Sequence, residues 1–351
     1  MTSTRPDLHD DPREQAIHAW LRDDLGVTDY TLASASADAS FRRYFRLTAR
    51  DGTRIVMDAP PDKEDIGPYL AVTGLLAGCG VHVPAVHAVD RARGFVLLED
   101  LGHTHYLTQL KVGGDADALY GAALASLVRI QVDGQAGAAQ LPPYDTAVLD
   151  REMDLMPEWF LRRHLELALT DAERAMLERA QAFLRAGCLA QPTVFVHRDY
   201  HSRNLMILPQ GGPGIIDFQD ALRGPVGYDL VSLLKDCYVA WPRPRVEGWL
   251  RAHRDALLAR GAKALAGADF EEFLRWFDLA GLQRHIKVLG IFARLNWRDG
   301  KPGYLADLPL TLGYVREAAA LFPELRDFGA FLEQRVVPEL PRANARAGST
   351  T

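Results

Sequence analysis

Apolar and polar positions change period several times along this chain, and each change marks an element. Ile17, Trp20 and Leu21 share one helical face. Asp11-Pro12-Arg13-Glu14 ahead of them reads as the helix start: Asp can cap, Pro fits the first turn, and Glu14 sits where a capping-box partner belongs. Gly26 ends the helix. From Tyr30 to Ala59 the period shortens to two. Phe41, Arg43, Phe45 and Leu47 fall on one face, and Arg42, Tyr44 and Arg46 on the other. Asp51-Gly52 then turns the chain into a partner strand over 53–58, a hairpin signal. Residues 66–79 read as a helix through Leu70, Leu75 and Leu76. Residues 81–89 and 94–98 read as two more strands, the second running into Glu99-Asp100-Leu101-Gly102.

After Gly102 the pattern becomes helical. Leu119, Ala123, Leu127 and Ile130 make one face, and Trp159, Phe160 and Leu165 belong to another. Thr170-Asp171-Ala172-Glu173 is a capping box opening a long helix to Ala186. Three short apolar runs, 193–196, 205–208 and 215–216, interrupt the helices before helical patterning resumes over 228–332. The tail PRANARAGST reads as a frayed end. The expected fold class is therefore α+β in two lobes, a β-rich unit over 1–101 and a mostly helical one over 102–351.

Composition narrows the class. A chain of 351 residues with 48% hydrophobic and 25% charged residues has the balance of a globular enzyme. A net charge of −6 argues against a nucleic-acid partner. Cys79, Cys188 and Cys237 are far apart and form no CxxC pair, so neither a disulfide framework nor a zinc site is indicated and a reducing cytoplasm is expected. No apolar run is long enough to suggest a membrane span. Positive charge is carried mostly by arginine, and lysines are scarce.

The chemistry gathers in VFVHRDYHSRNLMI and the following LPQGGPGIIDFQD. Short strands joined this tightly would bring Asp199, Asn204 and Asp217 around one cleft. Two carboxylates and an amide oxygen are hard ligands of the kind Mg²⁺ takes together with substrate phosphates. One carboxylate can instead face a substrate hydroxyl and accept its proton. His197-Arg198-Asp199, four residues, Asn204, then Asp217-Phe218 is the core spacing of kinase-like phosphotransferases.

Gln219 stands where protein kinases have glycine, and no A-P-E motif follows, so no activation segment is visible. With Gly224-Pro225-Val226-Gly227-Tyr228-Asp229-Leu230 a few residues later, the layout resembles the aminoglycoside phosphotransferase and choline kinase family, which acts on small molecules. SFRRYF, IVMDAPP, HRDYHSRNLM and RHIKVLGIFARLNWRDGKPGY are similar to the bacterial cell-wall amino-sugar kinases within it. That resemblance implies ATP and Mg²⁺ as cofactors. It implies an amino sugar, N-acetylmuramate or N-acetylglucosamine, phosphorylated at the anomeric hydroxyl in peptidoglycan recycling. A monomer fits this reading.

The resemblance also assigns roles. Asp199 is expected to orient or deprotonate the acceptor, with Asn204 and Asp217 on the metal. The Glu99 carbonyl and Leu101 amide are expected at adenine, and Asp229 as a buried anchor of the loop. The third-strand lysine of kinases is missing: IVMDA puts Met57 or Asp58 there. Ser40 in the glycine-free loop, Arg43, Lys63 and His201 are the candidate phosphate contacts. Asp220, Arg223, Asp236, Arg284, His285 and Arg294 are candidates for the sugar, with Arg223, Arg284 and Arg294 suited to a lactyl carboxylate. Two alternatives stand beside this reading: a kinase of another small alcohol, and a nucleotide-binding pseudokinase, whose support is the missing lysine.

Overall fold

The computed structural model describes residues 11–37, 41–265 and 267–348. Five antiparallel strands form one sheet in the order β1-β2-β3-β5-β4: β1 (Thr31–Ala37), β2 (Arg43–Ala49), β3 (Gly52–Asp58), β4 (Val86–Asp90) and β5 (Phe95–Glu99). Alternation divides its two faces. Phe45, Leu47, Val56, Phe95 and Leu97 pack against Ile17, Trp20 and Leu21. Each such side chain contributes about 1.5–3 kcal/mol on burial. The N-terminal helix Pro12–Ala19, capped by Asp11 and prolonged by a π-turn to Asp24, therefore covers the outer face. The other face presents the cross-strand rows Tyr44–Met57–Val96 and Arg46–Ile55–Leu98.

Helix Gly67–Gly78 packs on that second face, where Tyr69, Val72 and Leu76 join Met57, Val96 and Leu98. The strand expected over 81–89 is shorter than its pattern. Pro84 cannot donate to a ladder. The chain ahead of it instead bridges to the other lobe, with Ile215 N donating to the His82 carbonyl at 2.8 Å.

The second lobe is helical around Phe270–Trp297, whose residues are buried on nearly every side. It passes so close to Leu155 that a Cβ on Gly290 would lie 2.3 Å from that residue's carbonyl carbon. The Thr170 capping box forms as expected, and its helix runs on to Leu189. Trp159 and Phe160 lie in a π-helical segment, Met156–His164. The tail is not frayed over its described part: helix Leu340–Gly348 buries Leu340, Ala343 and Ala347. Two small ribbons interrupt the helices, β6 (Thr193–Val196) with β9 (Leu222–Pro225), and β7 (Leu205–Ile207) with β8 (Pro213–Ile215). Strand β9 was not anticipated from the pattern.

Candidate active site

The loop between β6 and β7 carries Asp199 and Asn204, and the turn after β8 carries Asp217. Asn204 Nδ2 donates to the Asp199 carbonyl at 3.0 Å and to Asp217 Oδ2 at 3.2 Å. Arg198 and Asp217 both have left-handed backbones, φ +79° and +63°. Such conformations cost energy in residues with a Cβ and persist only where surroundings over-determine them. Here the surroundings are explicit. Asp229 is fully buried and accepts from the backbone N–H of His197 at 2.7 Å and of Arg198 at 3.0 Å. Burial pushes its carboxyl up to about 7, against the effect of those two donors.

A denser charge cluster lies behind the loop. Buried Glu152 pairs with Arg198, accepts from the Tyr144 hydroxyl, and meets Lys287 Nζ at 3.0 Å. Burial opposes its ionisation, but Lys287 and Arg198 prevail and hold it at about 2. Asp199 is half-buried, and its carbonyl is bonded to Asn204, which lines the cleft. Desolvation works to raise its pKa, and the field of nearby cations, led by Lys287 and including Arg284 and Arg198, outweighs it. Its carboxyl is left below the ordinary range. An ionised carboxylate beside Asn204 and Asp217 is what an acceptor hydroxyl needs for orientation. His197 is buried and pushed down to about 4 by desolvation, and its Nδ1 accepts from Asp199 N at 3.2 Å, so it braces the loop as a neutral ring.

A cleft of about 430 Å³ runs from this centre to the connection after β5, between Tyr44, Arg46, Ile55 and Leu98 above and Leu101 and Met206 below. Leu101 and Glu99 both line it. The Glu99 carboxylate is committed elsewhere, to His82 Nε2 at 2.9 Å and Ala85 N at 3.1 Å. Arg46 had no assigned role from sequence. It clamps the connection, reaching Asp100 at 2.6 Å and the Gly102 carbonyl at 2.8 Å. Its signal was available: it shares parity with Tyr44 on β2.

Several expectations are corrected by position. Arg43 is on the outer face of the sheet, paired with Asp11 and reaching buried Asp58 at 2.9 Å, and does not line the cleft. Lys63 is exposed beside Asp62. Ser40 lies outside the described residues. Burial pushes His201 below its usual pKa, so it is no substitute cation at neutral pH; it meets Tyr238 edge-on at 5.6 Å. Met57 holds the third-strand lysine's place on the cleft-side face and has no exposed surface.

Among the sugar candidates, Asp236 is buried and spends its carboxylate on Ser202 N at 3.0 Å and Tyr238 N at 3.1 Å. His285 is buried against Tyr314 and bonded to the Lys235 carbonyl at 2.9 Å. Arg223 is exposed on β9, its backbone amide bonded to the Pro142 carbonyl. Exposed Asp220 accepts from Gln219, which also donates to Asp217 Oδ1 at 2.9 Å. Arg294 does not line the cleft; its Nε is buried without a partner. Arg284 is buried close enough to Asp199 to stabilise its charge.

The sheet above, the helices below and the Asp199–Asn204–Asp217 constellation between them define the class: a two-lobed, protein-kinase-like phosphotransferase. The phosphotransferase enzyme family model matches residues 31–273, and the chain belongs to that family. It is 47% identical over 335 residues to a Pseudomonas aeruginosa protein named N-acetylmuramate/N-acetylglucosamine kinase, covering 93% of this chain and 97% of that one. A Pseudomonas putida protein of the same name is 44% identical over 337 residues, covering 92% and 97%. The fold is similar to that of choline kinase from Cryptosporidium parvum Iowa II, with TM-score 0.60 at 11% identity, covering 92% of this chain and 100% of that one.

Proposed function

We propose that this chain transfers the γ-phosphoryl group of ATP to the anomeric hydroxyl of N-acetylmuramate or N-acetylglucosamine, as a cytoplasmic step of peptidoglycan recycling. The names and coverage of the Pseudomonas relatives support the substrate class. The observation that carries the chemistry is the Asp199–Asn204–Asp217 constellation, joined by hydrogen bonds of 3.0 and 3.2 Å. In this reading Asp199 orients the attacking hydroxyl and takes its proton as the bond to phosphorus forms. Leu101 and the Glu99 carbonyl hold the base, and the lobes divide at the connection after β5, near residue 101. No helix among the described residues is long and apolar enough to cross a membrane.

The donor set fits Mg²⁺. Among the described residues no three His, Cys, Asp or Glu side chains converge on a metal. One carboxylate and one amide oxygen, Asp217 and Asn204, suit an ion that shares its shell with water and phosphates. Both side-chain hydrogen bonds of Asn204 are donated by Nδ2, which leaves Oδ1 as its ligating atom. When bound, the ion would neutralise phosphate charge. Gln219 and Asn204 together fix the Asp217 carboxylate.

A coupled ADP-release assay over amino sugars, choline and aminoglycosides tests the proposal, with ³¹P and ¹H NMR of the product to locate the new phosphate. Turnover restricted to another alcohol, or phosphate on another oxygen, would refute it. Buried Met57 in the lysine position favours one rival, a nucleotide-binding pseudokinase. That rival requires ligand-induced stabilisation by Mg·ATP with no turnover of any acceptor.

A further inference from the structure

Arg203 is absent from the residues expected at the sugar, yet its setting differs from that of the other arginines near the cleft. It follows Asp199 by four residues, immediately precedes Asn204, and lines the cleft beside Asn204 and Asp217. Arg46 and Arg198 are consumed by Asp100 and Glu152. Arg203 instead sits over two aromatic rings, with its guanidinium carbon 4.8 Å from the Tyr238 ring centre and 5.5 Å from that of Tyr304. Both tyrosines also accept hydrogen bonds from its charged group, in place of a carboxylate. Asp307 feels that charge and forms no ion pair with it.

Ring contact and hydrogen bonds to both tyrosines fix the plane of the guanidinium and leave its other N–H donors. Those remaining donors are thereby preorganised for a planar anion such as a carboxylate. The surroundings point to the acceptor side. Tyr238 follows helix Tyr228–Leu234 and also meets His201, two residues beyond Asp199. Tyr304 lies in the turn Pro302–Asp307 and packs on Phe292. All of these belong to the helical lobe, opposite the sheet. N-acetylmuramate differs from N-acetylglucosamine by a lactyl ether, which carries a carboxylate.

Resting on the amino-sugar kinase reading above, we propose that Arg203, held between Tyr238 and Tyr304, binds the carboxylate of an acidic amino sugar and sets the preference between the acidic and neutral acceptors. The test is steady-state kinetics of the full chain with both sugars. In Arg203→Met the ratio of kcat/KM for N-acetylmuramate over N-acetylglucosamine falls about 10- to 100-fold, the range of a lost charge-assisted hydrogen bond. Arg203→Lys, which keeps the charge without the fork, recovers part of it. The carboxamide of N-acetylmuramate, offered to the unmodified protein, loses a similar factor and requires no variant to fold. An unchanged ratio in Arg203→Met together with an undiminished carboxamide overturns the assignment, as does a loss that appears only in the KM for ATP. If the unmodified protein phosphorylates neither sugar, the kinase reading falls as well; if it phosphorylates both with a ratio indifferent to Arg203 and to the carboxamide, this inference falls alone.

Discussion

The sheet above the cleft and the helical floor below it treat charge in opposite ways. In protein kinases the third strand carries a lysine and a helix of the same lobe carries its glutamate partner. Here β3 has Met57, and helix Gly67–Gly78, GPYLAVTGLLAG, contains no acid. Both places are filled by packing: Met57 is buried, and Tyr69 stacks on Phe218 with ring centres 5.0 Å apart. The floor does the reverse. Glu152, Arg198, Lys287, Arg284 and Asp199 crowd together beneath the catalytic loop. The comparison explains how a lysine can be absent without an orphaned charge remaining. Removing both partners of a buried pair is often nearly neutral, whereas removing one is costly. The positive field at Asp199 comes from the floor, led by Lys287 of helix Phe270–Trp297.

The largest expected effect tests the floor's product, an ionised Asp199. Asp199→Asn is expected to lower kcat by about 10²- to 10⁴-fold, while stabilisation by Mg·ATP in a thermal melt persists. Turnover like that of the unmodified protein would end its role. Next comes the charge cluster. Glu152→Gln leaves Lys287 and Arg198 buried without their anion, and urea unfolding should report a loss of about 3–5 kcal/mol. A loss below about 1 kcal/mol would mean that the floor is better solvated than described. The roof gives the complementary experiment. Met57→Lys restores the kinase residue without its partner, so stability falls by about 2–4 kcal/mol and kcat/KM does not rise. A gain in activity would break the comparison. The smallest effect is expected at Arg43→Ala, on the outer face. Asp58 keeps Arg13, bonded at 2.7 Å. Stability falls by about 1 kcal/mol, and the KM for ATP is unchanged; a marked rise would return Arg43 to the phosphates.

Much of the local structure was legible because local chemistry specifies it. Asp11 and Thr170 cap their helices through their own side chains. Asp51-Gly52 turns the hairpin at a glycine with φ +128°. The spacing from Asp199 to Asn204 and on to Asp217 points to one cluster, and hydrogen bonds join the three residues. Arg43 was misjudged for a different reason. Alternation on β2 separates Arg43 from Arg46, but both sheet faces are covered, one by the N-terminal helix and one by the cleft. Parity alone does not say which face looks inward. Asp236 and His285 meet backbone groups, and a polar residue amid apolar ones has the same sequence signature whether it meets a ligand or a backbone group.

The sequence by itself determined most of the longer elements, the two-lobed class, the catalytic spacing and the family, since each rests on caps, turns, periodicity or short-range motifs. Only the tertiary structure decided that Glu152 neutralises Arg198 and Lys287, that Tyr238 and Tyr304 enclose Arg203, and that Arg46 rather than Arg43 faces the cleft. Those partners lie far apart along the chain. A helix such as Phe270–Trp297, buried on nearly all sides, carries no amphipathic stripe to show which of its residues face the site.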